Sequence, residues 1–181
     1  AAATLPQHVS ACIRDWQQKP VAPVVVDKGP VLQVTEATVD LSRMPVPTHA
    51  ELDGGPYFDA GVVITKDPET GIRNTSIQRF MVVGKDRLAI NIDAGRHLEI
   101  CLGKAAARGQ ALPFTLNIGV GPGLHFAAAT PAEAAPMGTD ELGIASQFHG
   151  RPLQLVAGTL SAVEMVADAM FALDCEKLPR E

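Results

Sequence analysis

Aromatic side chains are scarce in this sequence: six Phe, one Trp and one Tyr make up 4% of its 181 residues. A surface that stacks nucleobases on rings is thereby excluded. The formal net charge of −5 also removes the broad cationic face that nucleic acid requires. No apolar run approaches the roughly 20 residues needed to cross a bilayer. The opening AAATLPQHVSACIRDW has neither the basic region nor the apolar run of a secretory signal. The reading is a cytoplasmic protein that engages no nucleic acid and no membrane. Cys12, Cys101 and Cys175 are odd in number and widely spaced, with no CxxC, and read as free, mostly buried thiols rather than a disulfide framework. With rings rare and 46% of residues hydrophobic, the core must be built from Val, Ile, Leu and Ala. A chain of this length forms one domain, or one with a short extension, and buries roughly 70% of its unfolded surface. The missing initiator Met and the ending LPRE are expected of a processed chain or a piece of a larger one.

Basic residues are present but concentrated. Six of the 15 Lys and Arg residues (Lys66, Arg73, Arg79, Lys85, Arg87, Arg96) fall between Lys66 and His97, against Asp67, Glu69, Asp86 and Asp93. An acidic chain with one basic window suits a small anion, phosphate first.

Leu5, Val9, Cys12, Ile13 and Trp16 predict an amphipathic helix over 4–18 that ends before Pro20. Short β-branched runs broken by Pro20, Pro23, Gly29 and Pro30 fit edge strands or a linker. Residues 40–56 read as a Pro-stiffened loop of the kind that covers a site. Strands are expected over 61–66, 74–83 and 87–92, joined by short turns into an antiparallel meander. A helix over 94–107 follows, closed by Gly109, then a buried strand over 113–120. A short Ala-rich helix after Gly121 precedes one that Thr139, Asp140 and Glu141 start and that runs to Phe148. Strands over 153–157, 162–166 and 170–174 complete an α+β domain on a partly closed β-barrel.

Asn74, His97 and Glu141 stand out because amide oxygen, imidazole nitrogen and carboxylate together suit Mn²⁺ or Mg²⁺, with open positions left for phosphate and water. Each of the three also has an ordinary structural reading. Arg79 lies on a strand with apolar neighbours. Facing inward it needs an anionic partner, and facing outward it is simply solvated. Five residues separate it from Asn74, so a regular strand sends the two to opposite faces unless a bulge or curl intervenes. The run Gly119-Val-Gly121-Pro-Gly123 fails the GxGxxG fingerprint at Leu124. His97 and Cys101 have no second pair for zinc, and Ser76 and Ser146 lack GxSxG. His125 and His149 read as a packed core histidine and a solvent-exposed one.

The runs VDLSRMPVP, GPYFDAGVVITKDPETGIRN, NTSIQR, AGRH, LPFTLNIG, AAATP and DELGIASQFHGRPLQLV, in that order, resemble the UbiD family of decarboxylases. The resemblance implies a split β-barrel of the FMN-binding type with a few flanking helices. It implies residues 1–28 as an extension or linker from a preceding domain, 29–176 as the prenylated-FMN-binding domain and 177–181 as a tail. By the same resemblance, Asn74, His97 and Glu141 hold Mn²⁺ (or Mg²⁺), which with K⁺ binds the phosphate of prenylated FMN. Ser76, Ile77, Gln78, Arg79 and Arg96 contact the flavin, and Arg79 is also the catalytic arginine, which pairs with acidic residues beside the flavin and engages the substrate carboxylate. The implied reaction is reversible non-oxidative decarboxylation of a small aromatic or α,β-unsaturated acid. A flavin prenyltransferase would supply the cofactor, and the assembly would be a homo-oligomer or include a partner subunit. The family's VPAxAEIVLEG becomes Val166-Ala-Asp-Ala-Met-Phe-Ala-Leu-Asp174, and its glutamate-rich EGPxGE segment has no counterpart. A non-catalytic flavin-phosphate-binding module or accessory subunit, lacking the catalytic acid, is therefore the alternative.

Overall fold

The computed structural model describes residues 4–178 as a mixed α+β fold. α1 (Leu5–Gln18) starts where the Gln7 side chain accepts the N–H of Thr4 at 2.9 Å, with Pro6 in the first turn, where a missing N–H matters least. β1 (Val24–Val25) and a single 3₁₀ turn (Pro30–Leu32) follow. The Pro-rich stretch after them holds a second 3₁₀ turn, Leu41–Arg43.

β2 (Tyr57–Lys66), β3 (Arg73–Val82) and β4 (Leu88–Ile90) form the expected antiparallel meander. α2 (His97–Ala107) leads into β5 (Leu112–Ile118), and then come α3 (Pro122–Ala128) and α4 (Leu142–His149). β6 (Gln154–Val156), β7 (Met165–Val166) and β8 (Phe171–Lys177) end the described chain. The main sheet has the order β4-β3-β2-β5-β8, is antiparallel throughout and curls as a half-barrel. A small sheet, β1-β6-β7, forms a separate ladder that packs beside it, with the N–H of Val166 donating to Asn117 Oδ1 of β5 at 2.8 Å.

The sequence reading places the first strand too late and the 162–166 strand too early. β2 begins at Tyr57 because a bulge carries it through: Phe58 pairs with Phe80 but Gly61 pairs with Gln78, so Asp59 and Ala60 together oppose Arg79. An alternation rule applied to the sequence breaks at that extra residue. Between β6 and β7, only Met165 and Val166 are laddered. Lys177, expected in a terminal tail, pairs with Leu112 in the main sheet, while residues 179–181 of that tail lie outside the described residues.

Two apolar clusters flank the sheet. Val62 and Ile64 meet Trp16 of α1, Leu124 of α3 and Leu142 and Ile144 of α4 on one face. Phe58, Val63, Phe80, Phe114 and Leu116 meet Leu98, Cys101 and Ala105 of α2 on the other, and the Phe80 and Phe114 rings stack at 5.7 Å. Residues 1–28, expected as an extension or linker, thus contribute Trp16 to the main core and β1 to the small sheet.

Gly61 sits directly after the bulge, and a Cβ there would overlap Leu116 Cδ1. Leu116 is fully buried and has nowhere to move. Gly61→Ala should therefore lower stability by about 1–3 kcal/mol in a urea titration, as overpacking does. An unchanged midpoint would show that the β2 and β5 strands separate freely.

Candidate functional site

β3 runs between the two clusters, and the site is built at its N-terminal end. Asn74 is its second residue, 5% exposed, paired across the ladder with Thr65. His97 is the first residue of α2, which Leu98, Cys101 and Ala105 pack onto the sheet. Glu141 immediately precedes α4, which Leu142, Ile144 and Ala145 bury on the opposite side. Three separate elements therefore deliver three side chains to one point.

The contacts there are close. Asn74 Nδ2 donates to Glu141 Oε1 at 3.1 Å and lies 3.2 Å from His97 Nδ1. His97 Nδ1 stands 3.6 Å from Glu141 Oε1, and the backbone N–H of Thr75 donates to Glu141 Oε2 at 3.1 Å. Among the described residues no three His, Cys, Asp or Glu side chains converge, so the trio depends on its amide. Burial pushes the Glu141 carboxyl up to about 7, against the lowering effect of the backbone N–H groups and Asn74.

Whether this trio fits a divalent cation can be tested on its own geometry. Neighbouring ligands about 2.1 Å from an octahedral ion lie about 3.0 Å apart, close to the 3.1 and 3.2 Å that separate Asn74 from Glu141 and His97, while His97 and Glu141 stand wider at 3.6 Å. The Asn74 Oδ1 is buried with no donor. Turning the amide about its terminal bond exchanges Nδ2 for this oxygen and leaves oxygen, nitrogen and carboxylate facing one another. Three acceptors in such a space call for a proton or a cation between them. The residues present fit a divalent cation.

The basic window resolves into paired and unpaired charges. Lys66 and Arg73 meet Glu164 at 3.0 and 3.2 Å, Arg73 meets Asp140 at 2.8 Å, Lys85 meets Asp40 at 3.8 Å and Arg87 meets Asp86 at 3.9 Å. Of the six cations, Arg79 and Arg96 alone have no acidic partner among the described residues, and both are exposed. Arg96 is the N-cap of α2, directly before His97, and gives that helix no side-chain cap. Ser76, Ile77 and Gln78 are half-buried between the two ends of β3, with Gln78 Nε2 donating to Ser76 Oγ at 3.2 Å.

Arg79 is not brought to the trio. It lies five residues along β3, about 16 Å. The bulge is in β2 rather than β3, so strand alternation keeps Arg79 on the face of Ile77 and away from Asn74. Asp59, opposite it in the bulge, is taken by His49 at 2.9 Å. His125, expected in the core, is half-buried, with Nε2 3.3 Å from the carbonyl of Ala60. His149 is exposed as expected.

Sequence reasoning missed the supports of the site. The N–H of Thr75 carries no sequence signal, but Arg73 and Asp140 do: they are opposite charges placed directly before Asn74 and Glu141. In the sequence Asp67 reads only as a local charge. It is 3% exposed, accepts from Lys104 of α2 at 2.7 Å, and so clamps the β2–β3 turn onto the helix that carries His97. Burial raises its pKa, but the Lys104 ammonium and the N–H groups of Glu69 and Thr70 outweigh that and hold the carboxyl below its ordinary value.

Comparison with known proteins agrees with this architecture. Residues 23–181 match the family model described as UbiD, the 3-octaprenyl-4-hydroxybenzoate carboxy-lyase Rift-related domain. A Rhodospirillum rubrum protein from the cooM 5′ region is 72% identical over 98% of this chain and 38% of its own length. The anhydromevalonate phosphate decarboxylase of Methanothermobacter thermautotrophicus is 45% identical over 65% of this chain and 27% of its own. The structure of an evolved dimeric form of the UbiD-class enzyme HmfF from Pelotomaculum thermopropionicum, in complex with prFMN, superposes with a TM-score of 0.85. It is 37% identical over 94% of this chain and 40% of that one. The chain thus spans well under half the length of the relatives it matches. With a family model covering most of its residues, the chain belongs to the UbiD family of decarboxylases.

Proposed function

We propose that this chain is the split-barrel domain that binds prenylated FMN and a divalent metal in a UbiD-type decarboxylase. The reaction would be the reversible, non-oxidative decarboxylation of a small aromatic or α,β-unsaturated carboxylic acid. The observation that carries the proposal is the meeting of Asn74, His97 and Glu141, from three elements, at separations of 3.1 to 3.6 Å. Relatives named as decarboxylases, and a structural neighbour in complex with prFMN, support the same reading.

In this reading the trio holds Mn²⁺ or Mg²⁺, which with K⁺ neutralises the cofactor phosphate. The uncapped N-terminus of α2 and the unpaired Arg96 favour an anion at the same place. Ser76, Ile77 and Gln78 line the path of the cofactor along β3, and Arg79 waits at its far end. An unpaired guanidinium there is a two-pronged donor for a substrate carboxylate. When bound, the prenylated flavin supplies the covalent chemistry at the substrate carbon, and the protein's share is orientation, charge and exclusion of water. A flavin prenyltransferase as cofactor supplier, a homo-oligomer or partner subunit and a cytoplasmic site of action belong to the same proposal. Among the described residues no helix is long and apolar enough to cross a membrane.

Co-expression with a flavin prenyltransferase should give a protein that carries a flavin absorbance band together with Mn²⁺. His97→Ala should weaken metal binding more than ~100-fold, beyond the loss seen for outer supporting residues, and release the flavin while leaving the circular dichroism unchanged. A parent protein that retains neither flavin nor Mn²⁺, even after both are added back, would sink the proposal.

The metal-free protein has its own signature. Its Glu141 holds a proton to about 7 when folded but releases it near 4.5 when unfolded. Between those values the native state binds more protons than the unfolded state, so stability falls as pH rises through the window and levels off above it. The fall is at most ~3 kcal/mol. Glu141→Gln, neutral at every pH, should lack it, which urea midpoints of both proteins at pH 5 and pH 8 will show. Parallel pH dependences in parent and variant would assign the titration elsewhere.

A further inference from the structure

Arg73 and Asp140 stand directly before Asn74 and Glu141 in the chain, and both pairs meet across one junction. Arg73 Nε donates to Asp140 Oδ2 at 2.9 Å, and one terminal nitrogen lies 2.8 Å from the same oxygen. The other terminal nitrogen donates to Glu164 Oε1 at 3.2 Å. Asp140 Oδ1 accepts the N–H of Leu142, the first residue of α4, at 3.1 Å. The Asp140 carboxylate therefore bridges over Glu141, with one oxygen on β3 and one on the helix. The backbone of Glu141 is fixed from both sides, and its own side chain stays turned toward Asn74 and the N–H of Thr75.

The guanidinium is anchored in turn. Glu164 also accepts from Lys66 Nζ at 3.0 Å, Lys66 is the ladder partner of Arg73 across β2 and β3, and the Glu164 carbonyl is held by Thr115 Oγ1 at 2.7 Å. Arg73 cannot swing away from Asp140 without leaving Glu164.

We propose that Arg73 is a positioning residue for the Asn74, His97 and Glu141 site. By holding Asp140, it sets where the Glu141 carboxylate stands. The inference rests on the reading of that trio as a divalent metal site. It needs the planar fork of arginine, because two nitrogens serve Asp140 while the third serves Glu164, an arrangement a lysine ammonium does not reproduce.

Charge and geometry make opposite predictions here. Deleting a positive charge near a cation site strengthens cation binding if only electrostatics matter. Loss of a positioning residue weakens it, by ~10–100-fold for residues that orient metal ligands. The experiment is a Mn²⁺ titration of the whole protein followed by the electron paramagnetic resonance signal of the free ion. The series comprises the parent, His97→Ala, Arg73→Met, Arg73→Lys, Asp140→Asn and Lys66→Met, each checked for folding by thermal unfolding. Arg73→Met and Asp140→Asn should each bind Mn²⁺ ~10–100-fold more weakly than the parent, and the double variant should be no worse than either, since both break one link. Arg73→Lys should not restore binding. Lys66→Met, which touches Glu164 but not Asp140, should stay within about twofold of the parent.

Should Arg73→Met fail to fold, Arg73→Lys carries the same test, because it keeps the positive charge and removes only the fork, so that charge alone predicts no loss. Arg73→Met or Asp140→Asn at parental affinity, with His97→Ala defective, overturns the positioning role and leaves the metal site standing. A loss in Lys66→Met equal to that in Arg73→Met overturns it as well. A parent that binds no Mn²⁺ removes the metal site and this inference together.

Discussion

A carboxylate taken out of water governs this structure. Glu141 is 3% exposed, and an isolated carboxylate in such a place is costly by several kcal/mol unless it is paired or protonated. The fold meets that constraint with three consecutive residues of one strand. Arg73 holds the neighbouring Asp140, Asn74 offers its amide and Thr75 its N–H. The remaining demand is for positive charge at the carboxylate itself. No side chain supplies it permanently, so the proton or a metal ion must. The same desolvation that raises the carboxyl's pKa would strengthen its attraction for a divalent cation, because water competes poorly there.

The distribution of charge around that point sorts the basic window by purpose. Lys66 and Arg73 are tied to Glu164 and Asp140, and both are largely buried. Exposed pairs such as Arg87 with Asp86 contribute little to stability. Arg79 and Arg96, which the resemblance singles out for the flavin and the substrate, are the two without an acidic partner among the described residues. Being exposed, both are solvated as they stand. Composition gives the local excess of charge, but only the pairing shows which members of it are already committed to an acidic partner.

Much of the fold is legible in the sequence. The meander, α1, α2 and α4 follow from periodicity and turn residues, and they lie within a few residues of where that reading puts them. What it misses has one physical source: contacts between distant segments. The bulge in β2 is invisible to alternation because Phe58 and Val63, an odd number of residues apart, both enter the cluster under α2. Spacing alone also leaves the trio open, since Glu141 meets Asn74 only because α4 and α2 pack against opposite faces of the same strand. The long, ordered runs of the chain single out the three residues by resemblance, and the geometry then brings them together. Asp67 reads only as a local charge and Glu164 is not singled out, because an acid clamped by a lysine looks, in sequence, like any surface charge.

The surroundings of Arg79 show where the scaffold admits an irregularity in its sheet. Strict alternation along β3 puts the Asn74 and Arg79 side chains on opposite faces. β3 itself stays regular, and the extra residue belongs to its neighbour. The extra residue in β2 lies opposite Arg79, where bulges increase local twist, and Gly61 just beyond it lets β2 lie against Leu116. Beyond the bulge the ladder from Gly61 with Gln78 to Lys66 with Arg73 runs unbroken, which keeps Thr75 against Glu141. A bulge at the start of β3 would break the consecutive Arg73, Asn74 and Thr75 contacts on which the buried carboxylate depends. Placing the irregularity one strand away keeps those contacts.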